Sequence, residues 1–200
     1  MTNILIIGAT GSIGQVTRNY LLQNTKDALT LMARHTSRIN ALNPNREHIL
    51  EGSVTDPSTL QQALQNQDVV FAALSGDLPS MAEALVAGMQ QAGVDRLLFI
   101  SSMGIYNEIP ASVGAGGNLD HNPVLAPYRR AADIIEASPL NYTIIRPGWF
   151  DNGSPDYEVT HKGEPFGGHD VARASIADLV MRLAHDPSLG SRDSLGINRK

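Results

Sequence analysis

Short aliphatic runs recur along the chain and alternate with longer stretches whose apolar residues follow a helical period. The first run, Ile4-Leu5-Ile6-Ile7, is entirely aliphatic, as expected of a strand that is covered on both faces. The other runs are spaced so that a helix fits between most of them. The predicted strands cover residues 4–7, 29–33, 48–50, 69–74, 96–101 and 142–145.

The segments between these strands carry the apolar stripes of amphipathic helices. The first predicted helix has Ile13, Val16, Tyr20 and Leu21 on one stripe, the next ones begin at Asp56-Pro57 and near Pro79, another covers residues 124–138, and the last carries Ile176, Leu179, Val180 and Leu183. This alternation predicts an α/β fold with a doubly wound parallel sheet and right-handed crossovers. We expect a single domain that spans residues 1–200.

Two stretches interrupt the alternation, residues 102–123 and 147–169. Both follow the carboxyl end of a predicted strand, where open α/β sheets bind their ligands. They are therefore either substrate-side loops or ordinary surface loops. Within the second stretch, Val159–Phe166 around Lys162-Gly163 predicts a small hairpin.

Composition narrows the classes of function. The chain has 200 residues, no cysteine and a formal net charge of −5. The absence of cysteine excludes disulfides, Cys–zinc sites, iron–sulfur clusters and thiol nucleophiles, and the spacing of the histidines gives no metal-site signal. Without a basic excess, neither nucleic acid nor an anionic membrane is an expected partner.

The chain also carries no sequence signal for a membrane span or a leader. Its longest apolar run, residues 69–74, is far shorter than the roughly 20 residues of a membrane helix. The amino terminus, Met1-Thr2-Asn3, lacks the positive charge of a signal peptide. We expect a cytoplasmic protein that is a monomer or a homodimer.

A glycine-rich turn, Gly8-Ala9-Thr10-Gly11-Ser12-Ile13-Gly14, lies between the first predicted strand and the first predicted helix. In this position Gly8 permits a tight turn, Gly11 lets a pyrophosphate approach the backbone, and Gly14 lets the helix pack closely on the strand. The free N–H groups at the start of the helix bind phosphate oxygens in such sites. The turn therefore predicts a dinucleotide-binding site, and a glycine turn without a ligand is the alternative.

Five segments, in order over about residues 3–180, resemble the extended and atypical short-chain dehydrogenase/reductases. They are GATGSIG at 8–14, GSVTD at 52–56, FISSMG at 99–104, YTIIRPG at 142–148 and VARASIAD at 171–178. YTIIRPG is similar to the NmrA-like and NAD(P)-binding atypical members. Ser53 departs from the family pattern, which has Asp at that position.

The resemblance implies a Rossmann fold and a set of cofactor contacts. Gly8, Thr10, Gly11, Ser12, Ile13 and Gly14 would hold the pyrophosphate, Ser53 and Val54 would flank the adenine, Ala73 and Leu74 would contact the ribose, and Ser102, Tyr128 and Pro147 would face the nicotinamide. Trp149 and Phe150 would either line the nicotinamide pocket or fill the core. Arg146 is expected to form a structural ion pair.

The residues after the second predicted strand bear on the choice between NADP and NAD. The segment 33–38 reads ARHTSR, and no acidic residue follows before Glu47. An acidic residue here binds the ribose hydroxyls and selects NAD, whereas an arginine accommodates the 2′-phosphate. Arg34, with Arg38 or Ser37 nearby, therefore predicts NADP. A solvated arginine without a ligand is the alternative.

The catalytic Tyr-x-x-x-Lys pair of typical short-chain reductases is missing. The chain's lysines are Lys26, Lys162 and Lys200, and no tyrosine precedes any of them by four residues. Tyr128 is the nearest candidate proton donor, with Ala132 where the lysine is expected and Arg129 or Arg130 as replacements or as solvent-facing residues. Ser102 falls near the family's catalytic serine, and an offset of one places Met103 there instead.

The missing pair directs the choice among three hypotheses. Reduction of a ketone needs a placed acid, whereas flavins and quinones accept hydride into a delocalised system and take protons from water. The first hypothesis is therefore an NADPH-dependent oxidoreductase that acts on a small conjugated acceptor. The second is a non-enzymatic, NADP(H)-responsive regulator of the NmrA-like type. The third, a nucleotide-sugar epimerase or dehydratase, needs both the pair and a larger carboxyl-terminal substrate domain.

Overall fold

The computed structural model describes residues 1–199. Its helices are α1 (Ser12–Asn24), α2 (Pro57–Leu64), α3 (Leu78–Ala92), α4 (Ala126–Glu136) and α5 (Arg173–His185). Its strands are β1 (Asn3–Ile7), β2 (Ala28–Ala33), β3 (Glu47–Glu51), β4 (Val69–Ala72), β5 (Arg96–Ile100), β6 (Asn141–Pro147), β7 (Trp149–Asp151), β8 (Glu158–Thr160), β9 (Asp170–Ala172) and β10 (Asp193–Asn198).

The main sheet has the strand order β3-β2-β1-β4-β5-β6-β10-β8. All neighbouring pairs from β3 to β10 are parallel, and only the edge strand β8 pairs in the antiparallel direction. The chain runs outward from β1 to β3 and then crosses back to β4. The strand order therefore reverses beside β1, which is the switch point where doubly wound sheets bind their ligands. The predicted fold class is confirmed.

Helices cover both faces of the sheet. Leu5 and Ile7 of β1 pack in one core with residues of α2, α3 and α4, among them Leu60, Leu85 and Ile135. Ile4 and Ile6 pack in the opposite core, which contains residues of α1 and α5. Successive side chains of a strand point to opposite faces, so a doubly covered strand has no polar face. This explains the all-aliphatic first run.

The strand β10 and the short parallel pair β7–β9 were not predicted, and the predicted hairpin at Val159–Phe166 is wrong. The chain turns at Gly163 with φ of +91°, but β8 pairs with β10, with Thr160 opposite Gly196. In the described part of the chain, residues 161–166 form no return strand. The prediction failed because the alternation along β8 indicates a strand but does not indicate its partner.

Asp27, just before β2, joins the amino terminus to α5. It is 2% exposed, accepts the Thr2 N–H at 2.9 Å and lies 2.9 Å from Nε2 of His185. Burial alone raises the pKa of the Asp27 carboxyl, but the hydrogen bonds from Thr2, Thr25 and His185 outweigh it and lower the pKa below its usual value. The carboxylate form is therefore favoured in the folded protein.

Within residues 1–199, none of the helices combines the length and the apolarity that crossing a bilayer requires.

Candidate active site

Two glycines of the turn after β1 are required by its geometry. Gly8 has φ of +85°, and a Cβ there would lie 2.1 Å from the carbonyl oxygen of Ala73. A Cβ on Gly14 would lie 2.3 Å from the carbonyl oxygen of Gly8. Gly11 is extended, with φ of −72°, and a Cβ there would approach the Gly8 oxygen only to 3.2 Å. Gly8 and Gly14 thus allow the strand, the turn and α1 to pack closely, while Gly11 leaves the helix start uncovered.

The amino-terminal end of α1 offers backbone N–H groups to a ligand. Gly11 is the N-cap and supplies no side-chain hydrogen bond to the helix. The N–H groups of the first turn, at Ser12, Ile13 and Gly14, have no helical partners, and the helix dipole places a partial positive charge there. The Ile13 side chain is 5% exposed and packs in the core, so its predicted role can come only from its backbone. This end of α1 has the donors that an anion needs.

A cleft runs along the carboxyl ends of β1 to β4. Its volume is about 150 Å³. The residues that line it include Gly8, Thr10, Gly11, Arg34, Ser53, Val54, Ala73 and Leu74. Val54 is 4% exposed and packs into the core beneath the cleft, and the Ser53 hydroxyl is hydrogen-bonded to that of Thr55 at 2.8 Å. The structure therefore brings together the residues predicted for the adenine, the ribose and part of the pyrophosphate.

A second cavity, of about 540 Å³, adjoins this cleft, and Thr10 lines both. Ser37 and Arg38 line the second cavity, whereas Arg34 lines the cleft. Arg34 and Arg38 are exposed, and neither makes a hydrogen bond or salt bridge to any residue in 1–199. The other arginines except Arg130 each donate at least one hydrogen bond. Two uncommitted guanidinium groups therefore stand beside the switch point.

Sequence reasoning missed an acidic residue near these arginines. Glu51 pairs with Ala33 in the β2–β3 register, and its carboxylate accepts the N–H and the hydroxyl of Thr36 at 2.8 and 2.9 Å. The backbone hydrogen bond and then the hydroxyl of Thr36 lower the pKa of Glu51. Glu47, the first acidic residue after β2 in the sequence, is instead buried against Arg18. The carboxylate that contacts the arginine-bearing part of the loop after β2 is thus that of Glu51, and it already accepts hydrogen bonds from Thr36.

An apolar cavity of about 310 Å³ opens at the carboxyl ends of β5 and β6. Ser102, Tyr128 and Pro147 line it, as do Trp149 and Phe150. Trp149 is 65% exposed and Phe150 39% exposed. Of the two alternatives, these aromatic residues therefore line the pocket rather than fill the core. We call this space the acceptor-side cavity.

The hydroxyl groups at the end of β5 differ in their partners. The Ser102 hydroxyl donates to the carbonyl oxygen of Met103 at 3.0 Å. Ser101 also lines the cavity, but its Oγ is buried and has no partner among the described residues. Met103, the alternative at this position, also lines the cavity; it is 8% exposed and packs against Ile109 and Phe166. Ser102 is thus placed on the cavity wall, and Ser101 was not predicted because a buried strand-end serine carries no sequence signal of its own.

No cation accompanies Tyr128 on the cavity wall in the described part of the chain. Ala132, at the position expected for lysine, is fully buried. Arg129 donates to Asp133 at 2.8 Å and lies over the Tyr106 ring, 5.0 Å from its centroid. Arg130 is exposed and lines none of the cavities described above. Neither arginine occupies the place of the missing lysine.

A buried ion pair holds the loops around this cavity. Arg146, which is 0% exposed, donates to the Glu108 carboxylate, which confirms the predicted ion pair. Glu108 also accepts the N–H groups of Gly104 and Tyr106, each at 2.9 Å. The carbonyl oxygen of Glu108 accepts the N–H of Phe166 at 2.9 Å. Glu108 therefore fastens residues 104–108 to β6 and to the segment after β8.

The parallel strand order, the glycine turn at the switch point and the adjoining cavities define a Rossmann-type dinucleotide-binding protein. A family model described as NAD(P)H-binding matches residues 8–187, and the chain belongs to this family. The predicted relationship to the NAD(P)-binding family is confirmed. Among residues 1–199, no group of three or more His, Asp and Glu side chains is arranged to hold a metal ion.

Two curated relatives are similar over most of this chain. An NAD(P)H azoreductase of Xenophilus azovorans is 27% identical over 88% of this chain, which spans only 60% of that relative's length. An uncharacterized sugar epimerase, YhfK, of Bacillus subtilis is 30% identical over 88% of this chain and 87% of its own length.

Solved structures extend the comparison. A Rossmann-fold NAD(P)-binding family protein from Shigella flexneri is 38% identical, with a TM-score of 0.84 over 100% of this chain and 94% of its own. A wide-type short-chain dehydrogenase/reductase from Veillonella parvula, in complex with NADP, is 28% identical, with a TM-score of 0.90 over 99% of this chain and 94% of its own.

Proposed function

We propose that this protein is an NADPH-dependent reductase that delivers hydride to a small conjugated acceptor such as a flavin or a quinone. The observation that carries the proposal is the apolar acceptor-side cavity, which lies along the same edge of the sheet as the cleft and presents Tyr128 without an accompanying cation. The azoreductase activity named for the Xenophilus relative supports an acceptor with a conjugated system.

The residues of the cleft and of the adjoining cavity fit a dinucleotide. The open amino end of α1 suits the pyrophosphate, and the cleft residues Ser53, Val54, Ala73 and Leu74 suit the adenosine half. Arg34, Arg38 and Ser37 suit a 2′-phosphate because guanidinium groups bind phosphate through charge-assisted hydrogen bonds. The NADP complex of the Veillonella relative supports the same choice.

When bound, the nicotinamide supplies the hydride, and the protein supplies binding, orientation and exclusion of water. Pro147 and Ser102 would border the nicotinamide at the ends of β6 and β5. Among the residues that the structure describes, no cationic side chain lines the cavity beside Tyr128, so the site lacks the tyrosine–cation pair with which typical short-chain reductases deliver a proton to an alkoxide. A conjugated acceptor spreads the added charge over its rings and takes its proton from water.

The experiment is NADPH oxidation, followed by absorbance, against a panel of flavins, quinones, aldehydes and ketones, with NADH as the matched cofactor. We expect turnover with flavins or quinones, little with ketones, and a preference for NADPH. Tyr128→Phe should change quinone turnover less than about tenfold, because a general acid contributes roughly 10²–10⁴-fold and none is required here. Turnover confined to ketones, or a hundredfold loss in Tyr128→Phe, would contradict the proposal.

The missing cation beside Tyr128 also favours a second candidate, an NADP(H)-binding regulator without catalytic activity. NADPH binding measured by calorimetry, compared with turnover across the acceptor panel, separates the two functions. Tight NADPH binding with no turnover across the panel would support the regulator, and turnover with any acceptor would support the enzyme.

A further inference from the structure

The exposed large apolar side chains are concentrated at the mouth of one cavity. Those that stand out are Met1, Leu42, Val124, Trp149 and Phe150, and the last three all line the acceptor-side cavity. Scattered exposed apolar residues need no explanation, but a cluster at a cavity marks a binding surface. We call Trp149 and Phe150 together the aromatic platform.

The aromatic platform is held in place by a small parallel ribbon. Its residues belong to β7, which pairs with β9, and the Trp149 N–H donates to the carbonyl oxygen of His169 at 2.8 Å. The indole stacks on the His169 ring, with centroids 6.2 Å apart and planes at 20°. The Arg173 guanidinium lies 5.7 Å from the centroid of the Phe150 ring. Both rings are thus supported from within the protein although they are solvent-exposed, which preorganises them for a ligand.

The size and charge of the cavity limit what the platform can bind. Its volume of about 310 Å³ is about twice the ~150 Å³ that accommodates one benzene ring, so a nicotinamide ring against Ser102 and Pro147 leaves room for a small ring system at the Trp149–Phe150 mouth. In the described part of the chain, none of its lining residues is charged, and an unpaired charge is costly to bury. Both facts favour a neutral ligand of one or two rings over a larger or anionic one.

We propose that the aromatic platform stacks against the ring of a neutral one- or two-ring quinone and that Trp149 is the main determinant of this specificity. The inference rests on the proposed function for the conjugated nature of the acceptor. It goes further in naming the residues that bind the ring and in predicting weaker binding of acidic acceptors.

Trp149 is the chain's only tryptophan, so its fluorescence reports on the platform directly. The protein is titrated, with NADP⁺ present so that no turnover occurs, with the neutral naphthoquinone menadione and separately with a naphthoquinone sulfonate. The control is the double variant Trp149→Phe/Leu42→Trp, which moves the reporter to an exposed position that lines none of these cavities. We expect saturable quenching by menadione in the wild type, weaker binding of the sulfonate, and only collisional quenching in the control. Identical linear quenching in both proteins, or tighter binding of the sulfonate, would overturn the proposal.

Steady-state kinetics with NADPH and menadione provide the second test. Trp149→Ala should raise the KM for menadione by roughly 2- to 12-fold, which is the stacking contribution beyond area burial, while Trp149→Phe should retain most of the affinity. The KM for NADPH should change less than the KM for menadione in both variants, because the cleft and Arg34 hold the other half of the dinucleotide. An unchanged menadione KM in Trp149→Ala, with turnover intact, would refute the platform and leave the reductase standing. Saturable quenching without turnover would support the platform and refute the reductase.

Discussion

Replacing Glu108 by alanine should destabilise this protein more than its single lost side chain suggests. The Glu108 side chain is 4% exposed and Arg146 is 0% exposed, so the substitution leaves a guanidinium buried without its counter-ion. Arg146 keeps two other partners, the hydroxyl and the carbonyl oxygen of Ser194, each at 3.0 Å, but neither carries a charge. The backbone N–H groups of Gly104 and Tyr106 lose their acceptor as well.

Breaking a buried ion pair by removing one partner costs about 3–5 kcal/mol. Domains of this size have a free energy of unfolding of about 5–15 kcal/mol and lose roughly 2–4 °C in Tm for each kcal/mol. Glu108→Ala should therefore lower the Tm by roughly 6–20 °C. The matched control is Asp133→Ala, which breaks the exposed Arg129–Asp133 pair and should cost no more than about 0.5 kcal/mol.

Urea unfolding, followed by circular dichroism, measures the free energy of unfolding of both variants. The double variant Glu108→Leu/Arg146→Met should recover part of the loss, because it removes the uncompensated charge. If Glu108→Ala loses less than about 1 kcal/mol and matches Asp133→Ala, the buried pair does not fasten the loops as argued.

Three further predictions concern two residues of the proposed cofactor site, Arg34 and Gly14, and the buried carboxylate of Asp27. Arg34→Ala should weaken NADPH binding about 10- to 150-fold in calorimetry, because it removes a charge-assisted hydrogen bond, and should leave NADH binding nearly unchanged. The control variant Arg130→Ala should bind NADPH nearly as the wild type does. Equal losses of affinity for both cofactors in Arg34→Ala would refute the assignment. Gly14→Ala should lower the free energy of unfolding by about 1–3 kcal/mol and weaken NADPH binding, since its Cβ would meet backbone at 2.3 Å, whereas Gly116→Ala, with open space around it, should do neither. Because folding lowers the pKa of Asp27, the carboxylate stabilises the fold above its unfolded pKa of about 3.9 and this contribution is lost as the pH falls through the folded value. As the pH is lowered from neutral to about 3, the free energy of unfolding, measured with urea, should therefore fall more steeply for the wild type than for Asp27→Asn. Parallel pH dependences of the two proteins would contradict the lowered pKa of Asp27.

The parts of the fold that could be predicted depend on local signals. Residues 4–14 predict both a doubly covered strand and a tight turn, because an unbroken aliphatic run and regularly spaced glycines are each typical of few other structures. The carboxylate of Asp56 accepts the Ser58 N–H at 3.1 Å, as its position before Pro57 predicts. Such signals need no knowledge of distant residues.

The parts that could not be predicted depend on partners far away in the sequence. β8 joins β10 rather than its own neighbours, and Glu51 comes beside the Arg34 loop only through the β2–β3 register. The sequence predicts an ion pair for Arg146, but nothing in it indicates the partner, Glu108, which lies 38 residues away. The site residues divide in the same way, since the glycine turn is local whereas the acceptor-side cavity is assembled from three separate segments.

The cleft at β1 to β4 takes its walls from residues 7–81, and the acceptor-side cavity takes its walls from residues 101–150, with none in common. Substitutions at sites that are well separated and share no partners have additive free energies. Exchange of the walls at the Trp149–Phe150 end of the second set, away from Ser102 and Pro147, should therefore retune the choice of oxidant while the contacts to the adenosine half of the electron donor are preserved. Such a division of labour offers a ready starting point for engineering new acceptor ranges on an unaltered nucleotide-binding half.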